Sequence, residues 1–301
     1  MLTKKYLWGY KKLKQYLDLL KNIKENGVRK SNRTGIDTLA IFAPSLRHDL
    51  TQGFPLLTTK KMHIRGILEE LLFFLRGDTD TSILEAKGVN IWKGNTTREF
   101  LDKQGLTYLP EKSIGCGYSH QWRNFGGEHP FVPETKGLRG FDQVRDVYDK
   151  LKNNPYDRRI IISAWNPSQN KYAALPACHL VYTFYTNPEK KELSCHLLIR
   201  SQDTLLGQPY NLASMSFLTH IFAKSIGYTA KEVCLTAVDC HLYVNHLDAV
   251  EEQLKREPYP LPQLKINKEL KTFDDIMDLK FDDFEILDYK YHPAIKAEMA
   301  V

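Results

Sequence analysis

The sequence lacks the patterns that mark secreted, membrane-spanning and zinc-ribbon proteins. Its five cysteines form no CxxC pair and are odd in number, so we expect neither a disulfide framework nor a metal site. The apolar stretches are far shorter than a membrane span, and no apolar run follows the N-terminal lysines, which argues against membrane association and a secretory signal. We therefore expect a reducing compartment, which is the cytoplasm, or the host cytoplasm or nucleus if the protein is viral.

The charge balance is only mildly basic. Lys and Arg number 42 against 36 Asp and Glu, which gives a formal charge of +6. This balance suits anionic small molecules, and it lacks the clustered basic stripe of a dedicated nucleic-acid-binding protein. The length of 301 residues, with 42% hydrophobic and 26% charged residues, is typical of an ordinary globular protein with a substantial core.

The spacing of apolar residues predicts one α+β domain over residues 1–301. Residues from about 94 to 140 are rich in Gly, Lys, Thr and Glu, which indicates a loop-rich excursion over the core and not a separate domain. Helices are predicted over residues 6–26, over Met62–Arg76 with Gly77 as the end, and over Leu212–Ile226 as a buried helix. Strands are predicted at Thr38–Phe42, Ser45–Asp49, Ile160–Trp165, Cys178–Thr186, Leu193–Arg200 and Leu235–Val244.

The predicted strand over 193–200 has two different faces, because successive side chains of a strand point to opposite sides. One face is formed by Leu193, Cys195, Leu197 and Ile199. The other is formed by Ser194, His196, Leu198 and Arg200.

Cys178 opens a predicted strand and is the candidate nucleophile. Taken alone, a free cysteine is more often a small buried apolar residue than a reactive one. Nearby arginines favour the thiolate by lowering the pKa of a thiol, and Arg200 and the pair Arg158 and Arg159 are candidates for this role. That pair is either a solvated turn or a phosphate clamp, since a guanidinium grips phosphate through two parallel bonds. His179 is not expected to act as a base for Cys178, because neighbours on a strand face opposite sides.

Two further side chains each have a structural and a catalytic interpretation. Glu70 is either a carboxylate at the solvent edge of its helix or, if it faces a cavity, a desolvated group with a raised pKa that transfers protons. Asn211 is either the N-cap of an apolar helix or a carboxamide whose donor and acceptor match O4 and N3 of uracil. The run Asp239–His241 with His246 fits no standard metal-site spacing, so hydrogen bonding at a strand end is the simpler interpretation.

Taken together, the motifs of the chain resemble those of the thymidylate synthase family. The resemblance covers nearly the whole chain, and it implies an α+β fold in which a large mixed sheet packs against helices and forms the interface of a homodimer. The matching stretches are Arg33–Gly35, Gly53–Lys60, Glu70–Gly77, Asn90–Trp92, Gln121–Arg123, Asp157–Arg159, Cys178–His179, Arg200–Asp203, Leu206–Asn211, His241–Tyr243 and Ile295–Val301.

The resemblance implies reductive methylation of dUMP to dTMP, with 5,10-methylenetetrahydrofolate as the cosubstrate. Cys178 would add to C6 of the uracil, Glu70 would move protons at O4 and N5, and Tyr118 would lie near the proton that leaves C5. Arg200, Asp203 and Asn211 complete the implied catalytic set. The nucleotide would be bound by Arg33, Arg200, Ser201, Asn211, His241 and Tyr243, together with Arg158 and Arg159 from the other subunit.

The same resemblance implies a folate site and a closing C-terminal tail. Asp203 would contact the pterin, and Lys60 would attract the glutamate tail of the folate. The tail through Val301 would close over the site and exclude water, so that hydride from the folate, and not solvent, meets the exocyclic methylene. The residues implied for folate are Lys60, Ile91, Trp92, Leu175, Asp203, Gly207, Tyr210 and Ala300.

Several positions near the expected chemistry depart from the family pattern. They are Gly115-Cys116-Gly117-Tyr118-Ser119, Ala177, Tyr210 in place of Phe, Lys93 after the tryptophan, and Val238 in place of Gly. Added polarity at Tyr210 and Ser119 motivates an alternative, in which water captures the methylene intermediate and the enzyme is a dUMP hydroxymethylase. Trp92 and the complete tail favour methylation, and Asn211 favours dUMP over dCMP because the cytosine-using relatives carry Asp there.

An alternative of another class is a non-catalytic, RNA-binding regulator that keeps the fold. The basic net charge motivates it, and weak RNA binding is the partner interaction that it implies.

Overall fold

The structure is a computed structural model that describes residues 13–298. Its strands are β1 Val28–Lys30, β2 Thr38–Phe42, β3 Ser45–Asp49, β4 Ile161–Ser163, β5 His179–Asn187, β6 Glu192–Asp203, β7 Thr229–Tyr243, β8 Gln263–Ile266 and β9 Phe284–Leu287. Its α-helices are α1 Lys14–Asn26, α2 Ile64–Arg76, α3 Ser82–Glu85, α4 Arg98–Lys103, α5 Tyr118–Asn124, α6 Gln143–Asn153, α7 Gly207–Ser225, α8 Leu247–Leu254 and α9 Phe273–Met277.

Seven strands form one mixed sheet. Six of them lie in the order β1-β2-β7-β6-β5-β4, and β3 pairs with β7 beyond the end of β2. The β6–β7 pair is parallel and the other pairs are antiparallel. β8 and β9 form a separate hairpin. The predicted α+β class, with a large mixed sheet packed against helices, is confirmed.

One face of the sheet is covered by helices and contains the core. Along β6 the side chains of Leu193, Cys195, Leu197 and Ile199 are buried, whereas those of Ser194, His196, Leu198 and Arg200 are partly exposed, as the alternation predicts. Helix α7 packs against β6 and β7 and is apolar nearly all round, which is typical of a buried helix. The sheet therefore has a covered face and a second face that the described chain leaves open.

The predicted boundaries are accurate where the apolar pattern is uninterrupted. β2 and β3 match the prediction residue by residue, and α2 ends at Gly77, whose φ of 82° places it in the left-handed region that suits glycine. The structural alternative for Asn211 is wrong, because α7 begins at Gly207 and Asn211 lies inside the helix. Pro209 is tolerated there because the first helical turn needs no backbone donor.

Residues 94–140 contain short helices as well as loops. Tyr118 and Trp122 of α5 are buried, with 7% and 0% of their surface exposed, so part of this segment belongs to the core. The prediction of a single domain over 1–301 stays a prediction. The predicted N-terminal helix is observed from Lys14, and its first residues lie outside the described chain. Among residues 13–298, no helix is long and apolar enough to cross a membrane.

Candidate active site

Cys178 lies at the start of β5, where Arg200 holds the backbone on both sides of it. The Arg200 side chain donates through Nε to the carbonyl of Ala177 at 2.9 Å and through Nη2 to that of Pro176 at 3.0 Å. The Arg200 backbone N–H donates to the carbonyl of Cys178 at 3.0 Å. One guanidinium thus orients the loop that carries the thiol, and it brings a positive charge next to that loop.

The thiol faces a cavity of about 350 Å³. Lys30, which also lines the cavity, pairs with Asp239 at 3.1 Å, whereas Arg33 is exposed on the loop after β1. A nucleophile and several cations therefore share one cavity, which suits a substrate that is both electrophilic and anionic. The predicted site residues that line it are Arg33, Cys178, Arg200, Ser201, Asp203, His241 and Tyr243.

The far wall of this cavity is polar. His241 is 7% exposed, and its Nδ1 lies 2.9 Å from the Asp239 carboxylate, which fixes the orientation of the imidazole. The His241 and Tyr243 rings meet edge to face at 5.3 Å. Burial raises the pKa of the Tyr243 phenol, and the Asp203 carboxylate adds to that rise. Tyr243 therefore stays protonated near neutral pH and can donate a hydrogen bond to a hydroxyl of a ligand.

Tyr118 touches the backbone that carries the nucleophile. Its hydroxyl accepts hydrogen bonds from the N–H of Cys178 at 2.6 Å and of His179 at 3.4 Å. Burial raises the pKa of the Tyr118 phenol, and negative charge on Cys178 raises it further. The ring stacks on Phe74 of α2 with centroids 5.0 Å apart, so the core fixes its position.

Glu70 is a desolvated carboxyl group held by one hydrogen bond. Nε1 of Trp92 donates to its Oε1 at 2.9 Å. Burial raises the pKa of Glu70 to about 7, although the Trp92 hydrogen bond acts in the opposite direction. The desolvation agrees with the interpretation in which Glu70 has a raised pKa, and a carboxyl group of this kind is suited to proton transfer.

Asn211 projects from α7 toward β5 and β6. Its Nδ2 donates to Oε1 of Gln202 at 2.9 Å, and its side chain hydrogen-bonds the His179 ring. Burial lowers the pKa of His179 to about 4, so this imidazole is neutral. The prediction that His179 is no base for Cys178 agrees with these contacts. Sequence reasoning missed Gln202 as a neighbour of Asn211, and its place inside the Arg200–Asp203 motif was the only available signal.

The residues predicted for folate divide into two groups. Ile91, Leu175 and Tyr210 are half-buried and pack against the core. Lys60 is 5% exposed and its Nζ donates to the carbonyl of Leu205 at 2.6 Å, so its ammonium points inward. Burial lowers the pKa of Lys60 to about 8. The carboxylate of Asp203 accepts from the N–H groups of Leu205 at 2.9 Å and Leu206 at 3.0 Å, which fixes it at the start of α7.

Among the described residues, the predicted site residues that do not line this cavity are Glu70, Tyr118, Asn211, Arg158, Arg159 and the folate residues other than Asp203. Arg158 and Arg159 are exposed, Arg159 pairs with Asp157 at 3.2 Å, and Arg158 lines a separate surface cavity beside β5. Ala300 lies outside the described residues. Within residues 13–298, no cluster of three or more His, Cys, Asp or Glu side chains is arranged to hold a metal ion.

A thiol that shares a cavity with several cations, on this α+β fold, is typical of an enzyme that acts on an anionic substrate. The model of the thymidylate synthase family matches residues 14–301. The chain is 46% identical to the thymidylate synthase of Candida albicans over 95% of this chain and 96% of that protein. It is also 46% identical to the thymidylate synthase of Saccharomyces cerevisiae over 97% of this chain and 98% of that protein.

A bifunctional dihydrofolate reductase-thymidylate synthase of Paramecium tetraurelia is 45% identical over 95% of this chain, which spans 61% of that longer protein. The chain therefore belongs to the thymidylate synthase family. Family and relatives support thymidylate synthase function, that is, a folate-dependent methyltransferase acting on dUMP, and they do not support the hydroxymethylase alternative.

Proposed function

We propose that the site residues of this chain convert dUMP to dTMP with 5,10-methylenetetrahydrofolate through a covalent Cys178 adduct. The observation that carries the proposal is that Cys178, Arg200 and Ser201 line one cavity, so a thiol and a phosphate-binding pair face the same ligand. A cavity of about 350 Å³ accommodates a nucleoside monophosphate.

Each end of the nucleotide has a matching group in this cavity. Arg33, Arg200 and Ser201 bind the 5′ phosphate, because guanidinium groups and a hydroxyl supply charge-assisted hydrogen bonds. His241 and Tyr243, which lie on the polar wall, bind the deoxyribose hydroxyl. Asn211, which projects from α7 beside His179 at the start of β5, reads O4 and N3 of the base.

Covalent catalysis activates the ring. The Cys178 thiolate adds to C6, and the electron pair of the C5–C6 double bond moves to give an enolate-like C5 nucleophile. Arg200 orients the loop that carries Cys178 through its bonds to the Ala177 and Pro176 carbonyls. Glu70, with a pKa near neutrality, moves protons at O4 and at N5 of the folate. Tyr118, held against the Cys178 backbone, lies near the proton that leaves C5.

Folate supplies one carbon and a hydride, and the chain offers an apolar wall for it. Ile91, Trp92, Leu175 and Tyr210 present aromatic and aliphatic surface that suits a flat ring system. Gly207 allows close approach, and Asp203 contacts the pterin. Lys60 contacts the glutamate tail, which requires its ammonium to leave the Leu205 carbonyl. Ala300 and the tail close over the site and exclude water.

The open face of the sheet supports a homodimer. Ile161, Val181, Leu198 and Tyr185 lie on this face, and Tyr185 is 70% exposed. Apolar side chains on a sheet face that the described chain leaves uncovered are typical of a subunit interface. Arg158 and Arg159 are exposed just before β4, and in the proposed dimer they bind the phosphate in the other subunit's cavity. The five free cysteines support a reducing compartment, and we place the protein in the cytoplasm.

The product of the reaction tests this proposal. The protein is incubated with dUMP and 5,10-methylenetetrahydrofolate, and the nucleotide and folate products are resolved by mass spectrometry. We expect dTMP and dihydrofolate in equal amounts, and no product with Cys178→Ser. Formation of 5-hydroxymethyl-dUMP with tetrahydrofolate would instead assign the hydroxymethylase reaction. RNA binding that dUMP leaves unchanged, with no covalent adduct on 5-fluoro-dUMP, would favour the regulator.

A further inference from the structure

A chain of hydrogen bonds runs behind the candidate base-reading residue. Nε2 of Gln202 donates to the backbone carbonyl of Asp203 at 3.0 Å, and Oε1 of Gln202 accepts from Nδ2 of Asn211 at 2.9 Å. The Asn211 side chain also hydrogen-bonds the His179 ring, whose Nδ1 lies 3.1 Å from the Tyr182 hydroxyl. Gln202 is 2% exposed and Tyr182 is 2% exposed, so this chain is shielded from solvent.

The backbone carbonyl of Asp203, at one end of this chain of hydrogen bonds, sets the direction of each bond. A carbonyl oxygen only accepts, so the Gln202 amide must turn its NH₂ group toward Asp203 and its oxygen toward Asn211. Asn211 must then offer its NH₂ group to Gln202 and its oxygen to the imidazole. The interaction with Asn211 acts to raise the pKa of His179.

This orientation determines which base the free edge of Asn211 matches. One N–H of Nδ2 and one lone pair of Oδ1 remain for a ligand. They complement uracil, which presents an acceptor at O4 and a donor at N3. Cytosine presents the reverse pattern, so it would meet donor with donor and acceptor with acceptor unless Asn211 turned over.

The two ends of the chain resist that turn to different degrees. Burial lowers the pKa of His179 to about 4, so the neutral ring can move its single proton to the other nitrogen, and the Tyr182 hydroxyl can accept as well as donate. The Gln202 end has no such freedom, because it is anchored on a backbone carbonyl. Gly207 leaves the room that this amide needs, since a Cβ atom at Gly207 would lie 2.8 Å from Nε2 of Gln202.

We infer that Gln202 is a positioning residue that sets the uracil-over-cytosine preference by locking the orientation of the Asn211 carboxamide. The inference rests on the proposed function, in which Asn211 reads the base. The Gln202 side chain hydrogen-bonds the Asp203 carbonyl and Asn211, and Gln202 does not line the cavity that Cys178 faces.

Gln202→Met tests the inference, because methionine has a similar length and no amide. The dissociation constants of dUMP and dCMP are measured without folate by competitive binding. The ratio of the dCMP constant to the dUMP constant should fall about five- to tenfold, the factor that one neutral hydrogen bond is worth, and mainly through tighter dCMP binding. Lost packing alone would weaken both ligands equally and leave the ratio unchanged.

A matched control and a second variant separate orientation from stability. Gln143 is a buried glutamine of α6 whose amide bonds Gln121 and Ser163, so Gln143→Met should leave the ratio unchanged. Gly207→Ala keeps the Gln202 amide but pushes it from its place, and it should lower the ratio in the same direction. If Gln202→Met does not fold, the ratio of dissociation constants measured with Gly207→Ala tests the inference.

Asn211→Ala distinguishes this inference from the proposed function. In that background Gln202→Met should lower the ratio no further, because the group that it orients is gone. If Asn211→Ala alone leaves the ratio intact, both the base-reading role and the inference are overturned. If Asn211→Ala collapses the ratio while Gln202→Met and Gly207→Ala leave it intact, the proposed function stands and the inference about Gln202 is overturned.

Discussion

Replacing Trp92 with phenylalanine isolates the one hydrogen bond that restrains the pKa of Glu70. Nε1 of Trp92 donates to Oε1 of Glu70 at 2.9 Å, which stabilises the ionised carboxylate. Burial raises the pKa of Glu70 to about 7 in spite of this bond. Phenylalanine keeps an aromatic ring against Phe74, whose centroid is 6.4 Å from that of Trp92, but it has no N–H. The pKa of Glu70 should therefore rise.

The size of the rise follows from the charge on the acceptor. A hydrogen bond to a charged group contributes ~1.5–3 kcal/mol, and one pKa unit corresponds to ~1.4 kcal/mol. The loss of this bond should therefore raise the pKa of Glu70 from about 7 to about 8–9. Water that enters the space of the lost indole would partly replace the donor, which makes the lower end of this range the safer expectation.

Two measurements report this pKa. Carboxyl-carbon NMR titration of protein labelled at glutamate reads it directly, with the Glu70 signal assigned by its loss in Glu70→Gln. The pH dependence of kcat/KM should show the same displacement of its acid limb toward higher pH.

Trp122→Phe is the matched control. Trp122 is a fully buried tryptophan that also packs against Phe74, at 5.8 Å, and its Nε1 has no hydrogen-bond partner within residues 13–298. This control should leave the pKa of Glu70 in place. An unchanged or lowered pKa in Trp92→Phe would refute the reasoning. An equal rise in both variants would assign the effect to lost packing and not to the hydrogen bond.

Three further outcomes are expected. Cys178→Ser should reduce turnover more than about a thousandfold while the dissociation constant of dUMP changes less than about threefold, and retained turnover would contradict the nucleophile assignment. Burial raises the pKa of Glu70 from 4.5 to about 7, so ionisation of Glu70 destabilises the fold as the pH rises through that interval. The free energy of unfolding of Glu70→Gln, measured in urea, should therefore increase relative to that of the unsubstituted protein by up to ~3 kcal/mol between pH 5 and pH 8. Mixing inactive Cys178→Ser with inactive Arg158→Ala/Arg159→Ala should restore about a quarter of normal activity. Random exchange of subunits makes half of the dimers mixed, and each mixed dimer has one intact site of two. No recovery of activity after confirmed exchange would reject shared sites.

Much of the fold could be predicted from residue patterns, because the strongest elements are locally consistent. β2, β3 and α2 have clear alternation or helical spacing and clear ends. The start of α7 was missed because Gly207 and Pro209 are usual breakers, yet both are compatible with a first helical turn. β7 begins at Thr229, six residues before the predicted strand, because Lys231 and Glu232 lie on partly exposed positions that give little apolar signal.

The candidate site was predictable in its members but not in their contacts. The resemblance named Glu70 and Trp92 separately, and only the folded chain shows that one donates to the other. It likewise assigned Lys60 to the folate, whereas its ammonium lies against the Leu205 carbonyl in this structure. Contacts of this kind depend on how α2, the loop before α4 and the β6–α7 turn approach one another, which no local spacing records.

The turn from β6 into α7 shows why the network behind Asn211 was beyond sequence reasoning. Gln202 and Asn211 are nine residues apart, and their amides meet only because the chain reverses at Asp203, whose carboxylate accepts from the N–H groups of Leu205 and Leu206. Gly207 then has to lack a side chain so that the Gln202 amide fits. Any one of these residues has an ordinary interpretation on its own: a polar strand end, a turn carboxylate and a flexible glycine. Their joint effect is to leave Asn211 one orientation, and it is this geometric coupling, not the identity of Asn211 alone, that we expect to decide which pyrimidine binds.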